Sequence, residues 1–344
     1  MSLTHSFNRS FGLDLVRAFA IFFVLLSHFA QGFEILGFIG VEMFFALSGF
    51  LIGKILWRTL SGDTLTIASL LNFFKRRWYR TIPNYFLFFT VSLFFHHFIT
   101  KNLPDFNTIK NYLLFSQYLM SPSHGFYGVS WSLCVEEWFY LLFPISLYIL
   151  RKLGVQSLKS FFFSVLFFYI FSFLIRGYLL DNEIYNLRKI TFARLDSIVS
   201  GVFVALLVIH KGATKNIPNV CLLIGIFLLL SCFTLISNDF NVSSNPLSLT
   251  LVPLSFALML PRLELIKQPN NEIISDCVTK ISLWSYSIYL SHIPVLFTLY
   301  YLLEDYSSFV IVKLLIKLSG LVLTIFLSRA VFIYFETPFT KKRP

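Results

Sequence analysis

Residues 13–33, LDLVRAFAIFFVLLSHFAQGF, form the first long apolar stretch of this 344-residue chain, and among the ionisable side chains within it are Arg17 and His28. An ionisable group at bilayer depth costs about 2.5 kcal/mol or more, so a span keeps one only where it is paired or used. The two are eleven residues apart. At about 100° per residue that spacing overshoots three helical turns by only about 20°, with an axial separation of roughly 16 Å. One helix face therefore carries a cation at one level and an imidazole at another.

The rest of the chain has the same character. Hydrophobic residues make up 56% and charged residues 13%, with 43 Phe and 16 Tyr, a composition far more apolar than that of a soluble domain. The fold class is all-α, a polytopic transmembrane helical bundle. At about 20 residues per span, apolar windows fall at 13–33, 36–56, 84–100, 137–151, 160–180, 191–209, 217–236, 246–261, 281–303 and 309–334. That is about ten spans and leaves no room for a soluble domain, so residues 1–344 read as one integral-membrane domain. Short amphipathic or re-entrant helices are expected at 63–75 and 108–119, where the pattern is mixed and the windows are too short to span. The run from Leu13 is too long and too charged for a signal peptide and reads as a retained span. Cys134, Cys221, Cys232 and Cys277 form no CxxC pair and read as small core residues, not a disulfide framework or metal site.

Orientation follows from lysine and arginine. One alternate set of connections carries seventeen of them, including Arg76, Arg77, Arg151 and Lys341, and the other set carries five: Lys101, Lys110, Arg176, Arg188 and Lys189. The richer set is expected to be cytoplasmic, with both termini inside. Membrane topology accounts for the net charge of +11, and no nucleic-acid partner is called for.

The polar residues then sort into two layers. On the inner side stand Arg17 and the run Lys75-Arg76-Arg77-Trp78-Tyr79-Arg80-Thr81-Ile82-Pro83. Pro83 is expected to start the third span, since a proline in a first turn loses no hydrogen bond. Arg77 and Arg80 share a face, and their guanidinium forks suit the phosphates or pantetheine of a donor arriving from the cytoplasm. The alternative is that they are ordinary positive-inside anchors. On the outer side stand His28, Glu42, Trp131, Glu136, Tyr140, Arg194 and Asp196. A short turn containing Gly37 and Gly40 is expected to bring Glu42 level with His28, where a carboxylate orients an imidazole base. Glu136 and Tyr140, four apart on one face, together with Trp131, Arg194 and Asp196, are candidates for positioning a polar acceptor. His292 competes with His28 for the catalytic role, although structural lining is the preferred reading. Pro294 frees a backbone carbonyl near Leu290 for a neighbouring polar side chain. Glu336 is expected to pair with Arg329.

The motifs Leu13-Asp14-Leu15-Val16-Arg17 through His28, Phe44-Phe45-Ala46-Leu47-Ser48-Gly49-Phe50, Arg77-x-x-Arg80-x-x-Pro83, Trp131-Ser132-Leu133-x-x-Glu136-x-x-Phe139-Tyr140, Arg194-Leu195-Asp196 with Gly201, Ser287-Ile288-Tyr289-Leu290-x-His292 and Glu336-x-Pro338 occur in an order that resembles the acyltransferase 3 family. The resemblance covers almost the whole chain. It implies a bacterial inner-membrane O-acyltransferase that moves an acyl group, commonly acetyl from acetyl-CoA, onto a sugar hydroxyl of a surface or secreted glycan such as O-antigen or exopolysaccharide. The family's arginine and histidine map onto Arg17 and His28, and its paired arginines onto Arg77 and Arg80. The extra C-terminal esterase-like domain of some members is not expected here.

The residues permit that chemistry. An imidazole with a pKa near 6.5 suits removal of a hydroxyl proton during attack on a thioester, so His28 is the expected general base, with Glu42 and Glu136 as supporting catalytic carboxylates. Arg17, Arg77 and Arg80 would hold an acyl-CoA that binds as a substrate, with no permanently bound cofactor and no metal. The oxyanion donor is left open among Tyr140, Trp131 and backbone amides near Ser48 and Gly49. A covalent acyl-histidine route stays open beside direct transfer. The competing function classes are a transporter or flippase of a glycan or lipid-linked sugar, although no internal repeat is visible, and a non-catalytic membrane scaffold.

Overall fold

The computed structural model describes residues 9–60, 66–121, 125–211, 216–236, 245–303 and 309–343. Regular structure among them is helical: α1 (Phe11–Phe29), α2 (Glu34–Leu60), α3 (Ile67–Thr100), α4 (Phe106–Leu113), α5 (Trp131–Lys152), α6 (Ser157–Asp181), α7 (Leu195–Lys211), α8 (Ile217–Ile236), α9 (Ser248–Leu263), α10 (Glu272–Leu302), α11 (Val310–Val331) and α12 (Thr337–Lys341), the last two joined by a π-helical turn over Phe332–Glu336. Each of the ten apolar windows has its helix. Seven, α1, α2, α3, α5, α6, α8 and the continuous α11–α12 rod, are long and apolar enough to cross a membrane. The other three differ for physical reasons. α9 has 16 residues and α7 has 17, which at 1.5 Å per residue gives about 25 Å. α10 has 31 residues, but its apolar character is diluted by buried Ser282, Ser285, Ser287, Ser291 and His292.

α7 lies at the centre, buried on nearly all sides from Leu195 to Leu206, and α2 packs along it. Glycines allow that approach. A Cβ at Gly49 would overlap the carbonyl of Ile198, and one at Gly201 would overlap the carbonyl of Ala46, the small-residue contact that lets membrane helices meet backbone to backbone. Gly49 thus faces α7 from inside α2, so its amide is not a free oxyanion donor. Gly201→Val is expected to force the two helices apart and lower the apparent melting temperature of the detergent-solubilised protein by several degrees. A nearby lipid-facing change, Phe203→Leu, should leave it within a degree or two of wild type.

The outward faces of α6, α8 and α11 present Phe162, Phe167, Phe173, Leu223, Phe227 and Phe326, all exposed. Apolar surface this extensive is what a bilayer covers.

Two sequence expectations about helix starts are corrected. Pro83 does not begin a helix, because α3 runs unbroken through it for 34 residues from a capping box at Thr66 and Ser69. Membrane helices tolerate an internal proline where neighbours satisfy the freed backbone. The described part of 63–75 accordingly belongs to α3, whereas α4 supplies the short helix expected over 108–119. Likewise Gly37 and Gly40 are not in the turn. That turn is centred on Gly32, with φ +82°, while Gly37 packs against Ser27 and Gly40 against Ala20 and Val24 in an antiparallel α1–α2 hairpin.

Candidate active site

α1 and α10 run side by side in the same direction. Arg17 Nη1 donates to Ser282 Oγ at 3.2 Å, and eleven residues later the ring of His28 lies 5.1 Å from that of His292. Between these ends α10 presents Ser282, Ser285, Tyr289 and His292, an i, i+3, i+7, i+10 stripe that occupies one helix face. Arg17 and His28 are therefore joined by one polar seam, but the outer layer is not as expected. Glu136 and Tyr140, placed with His28 by the sequence, lie at the Arg17 end, because α5 packs them against the arginines of α3.

At the Arg17 end a cavity of about 100 Å³ is lined by Arg17, Arg77, Arg80, Glu136, Tyr140 and Tyr289 among others. Three cations from two helices thus converge on one space that also holds one carboxylate. Each is held. Asp14, buried one turn before Arg17, accepts from Arg17 at 3.3 Å and from Ser282 at 2.8 Å, and Arg9 pairs with it. Arg77 stacks its guanidinium 4.0 Å above the Tyr140 ring, while Tyr140 donates to Glu136 at 3.1 Å and accepts from Ser48. Arg77 Nε is buried without a hydrogen-bond partner, and a buried donor of that kind is left for a ligand or water to satisfy.

Not every expected residue joins this site. Glu42 does not face His28. The α1–α2 register puts it beyond Gly40, roughly 12 Å along the axis toward the Arg17 end. There it forms an ion pair with Arg194 in which both side chains are fully buried. Arg194 also donates to Leu249 O at 3.0 Å. Asp196 takes Arg176 as its partner and accepts from Thr250. Glu42, Arg194 and Asp196 therefore belong to one buried network tying α2, α6, α7 and α9, and none of the three lines the arginine cavity. Trp131 packs edge-on against Phe45 at 5.9 Å and does not line it either. Glu336 turns away from Arg329. It accepts from Asn84 at 2.7 Å and Ser287 at 2.9 Å, while Arg329 lies 6.0 Å over Trp284. The carbonyl freed by Pro294 is satisfied as expected, with Tyr127 donating to Leu290 O at 3.3 Å.

Some residues at the site were missed. Asp14 and Ser282 hold Arg17, and Tyr289 spans both layers, lining the cavity with its ring 5.7 Å from His292. Arg188, counted in the sequence only as a loop charge, lies over the rings of Phe38 and Trp131 at 5.3 and 5.6 Å with a buried, unpartnered Nε. Burial, and then the neighbouring Arg188, push the Lys189 ammonium below its ordinary range. His28 itself is exposed at the end of α1. Among the described residues no group of three or more His, Cys, Asp or Glu could hold a metal ion. The four cysteines are free, with three buried and Cys277 exposed.

The chain is similar to several known O-acetyltransferases. The chain is 33% identical over 167 residues to the peptidoglycan O-acetyltransferase OatA of Listeria monocytogenes, covering 44% of this chain and 26% of that protein. It is 33% identical over 154 residues to the O-acetyltransferase OatA of Staphylococcus aureus, covering 39% and 24%. It is 30% identical over 164 residues to the putative peptidoglycan O-acetyltransferase YrhL of Bacillus subtilis, covering 43% and 25%. The matched part spans about a quarter of the length of each relative. No solved structure matches. Residues 10–333 match the sequence profile of the acyltransferase 3 family, described as an acyltransferase domain, and the chain belongs to that family.

Proposed function

We propose that this protein is an integral-membrane O-acetyltransferase that moves acetyl from acetyl-CoA to a sugar hydroxyl of a surface or secreted glycan. The observation that carries the proposal is the convergence of Arg17, Arg77 and Arg80 on one cavity, joined by the α1–α10 seam to an exposed histidine. Guanidinium forks bind phosphate bidentately. The cavity would take an anionic or polar part of the donor while the pantetheine arm lies along the seam. The roughly 16 Å between Arg17 and His28 suits a long flexible arm.

At the far end His28 acts as general base. The acceptor hydroxyl oxygen attacks the thioester carbonyl carbon as its proton passes to an imidazole nitrogen. The C–O bond forms, the C–S bond breaks, and the proton then goes to the departing thiolate. Glu136 acts through Tyr140, holding the surface on which Arg77 stacks. Glu42, Arg194 and Asp196 are assigned to the scaffold.

Membership of the acyltransferase family favours this reading over transport or a passive scaffold. The names of the relatives favour acetyl as the group moved and make a peptidoglycan sugar the first acceptor to try, with O-antigen and exopolysaccharide units next. Lysine and arginine distribution supports ten crossings of a bacterial inner membrane with both termini cytoplasmic. Parallel α1 and α10 fit alternating crossings, since an even number of reversals separates them.

Arg80→Ala and Arg17→Ala are expected to raise the KM for acetyl-CoA by roughly tenfold or more, the loss of one charge-assisted contact, with a smaller change in the KM for acceptor. Initial-rate kinetics in membranes with each substrate varied in turn checks this, and unchanged donor KM in both variants would reduce the cluster to topological anchors. A single cysteine placed in 151–159 of a cysteine-free background is expected to resist an impermeant maleimide in intact cells, while one at Lys110 labels. The reverse pattern would overturn the orientation.

A further inference from the structure

A histidine base needs its second ring nitrogen held, because that contact fixes which nitrogen carries the proton and which is free to accept one. The carboxylate expected in this role, Glu42, is engaged with Arg194 elsewhere. What lies beside His28 instead is His292, fully buried on the seam face of α10. His292 Nδ1 lies 3.2 Å from the carbonyl of Ile288 one turn earlier. A carbonyl only accepts, so Nδ1 carries the ring proton and Nε2 is left as an acceptor. Nε2 is buried and has no hydrogen-bond partner. Two imidazoles joined by one N–H···N bond of about 2.9 Å, each nitrogen about 1.1 Å from its ring centre, would have centroids about 5.1 Å apart, and the observed separation is 5.1 Å. The two rings are tilted by 46° and are not hydrogen-bonded as they stand, so the pair requires the exposed His28 ring to turn about its own side-chain bonds.

We propose that His292 is the positioning partner of His28, its Nε2 accepting the His28 ring N–H so that the other His28 nitrogen faces the acceptor hydroxyl. The proposal rests on the role given to His28 above. His292 does not touch the reacting atoms. It fixes the tautomer of the base in the resting enzyme and shares the proton of the imidazolium once the acceptor has been deprotonated. Because the partner is neutral, the pair works without burying a carboxylate at this end of the seam, where Arg188 and Lys189 are the other charged groups acting on His28. Tyr289, one turn before His292, links the pair to the arginine cavity, so the base and the donor site are registered by a single helix.

The test compares His292→Phe, which keeps a ring but no acceptor, with His292→Gln, which keeps an acceptor. The first readout needs no turnover: the pH dependence of His28 carbethoxylation by diethyl pyrocarbonate, quantified on the His28 peptide by mass spectrometry. A hydrogen bond from the ring N–H favours the imidazolium. Removing the acceptor is therefore expected to move the midpoint to lower pH in His292→Phe and leave it near wild type in His292→Gln. The second readout is acetyl transfer, where loss of a partner of this kind lowers kcat by roughly 10- to 100-fold with the KM for acetyl-CoA unchanged. Coincident midpoints in wild type and His292→Phe, both eluting as folded protein, would overturn the pairing. If His292→Phe fails to accumulate, His292→Ala serves as the acceptor-free arm. A shifted midpoint in a protein whose wild type transfers no acetyl would uphold the pair and remove the acetyltransferase reading instead.

Discussion

His28→Ala is expected to lower acetyl transfer by about 10²- to 10⁴-fold, the range that a positioned general base contributes, while leaving the KM for acetyl-CoA close to wild type. The split follows from geometry. His28 stands at the exposed end of α1, eleven residues beyond Arg17, and takes no part in the arginine cavity. Its removal deletes a proton acceptor and no donor contact. It also leaves the fold intact, because His28 forms no buried ion pair, and solubilised His28→Ala should elute and melt like wild type. His28→Gln should be no better, since an amide cannot take the proton. Initial rates with labelled acetyl-CoA at matched protein level check the claim, and retention of more than a tenth of wild-type kcat in His28→Ala would remove His28 as the base.

Glu42→Ala and Arg194→Ala are expected to do the opposite, abolishing folded protein rather than turnover. Each leaves its partner as an uncompensated charge in a fully buried site, a change that costs about 3–5 kcal/mol when one member of a buried pair is removed. That is a large fraction of the roughly 5–15 kcal/mol that holds a domain folded. The two side chains are 152 residues apart and connect α2 to the segment leading into α7, so their loss loosens the central helix from its main neighbour. Glu42→Gln, which keeps an acceptor, should be milder. The double change Glu42→Leu with Arg194→Met should recover a substantial part of the yield, since replacing both charges removes the desolvation cost along with the attraction. Fluorescence-detected gel filtration of tagged variants reports the result. A monodisperse, normally abundant Glu42→Ala protein with no activity would return Glu42 to the catalytic machinery.

How far the sequence could be read depended on the range of each contact. Within one helix it read well. The α1 face carrying Arg17 and His28 follows from spacing alone, as does the Glu136–Tyr140 pair, observed at 3.1 Å. The carbonyl freed by Pro294 also follows from local backbone chemistry. Contacts between helices did not read. Glu42 looked like a partner for His28 because Gly37 and Gly40 resembled a turn, whereas they are small residues at a helix crossing that starts earlier, at Glu34. Nothing local to Glu42 points to Arg194. Pro83 was ambiguous for a related reason, since the same residue suits a first turn or a membrane-helix interior, and the packing around it decides. The pairing of α1 with α10 was equally hidden, and with it the conjunction of His28 and His292. α7, α9 and α10 looked like ordinary spans by hydropathy, yet their polar or short character follows from facing protein on several sides.

Acyl transfer by this chain can be measured most directly with the purified protein in proteoliposomes, radiolabelled acetyl-CoA and a peptidoglycan-derived glycan. Chain-dependent, alkali-labile label in the glycan is expected, matched by release of free CoA thiol and absent from empty liposomes. Folded protein that yields neither glycan label nor free thiol across peptidoglycan, O-antigen and exopolysaccharide acceptors would contradict acyl transfer by this chain.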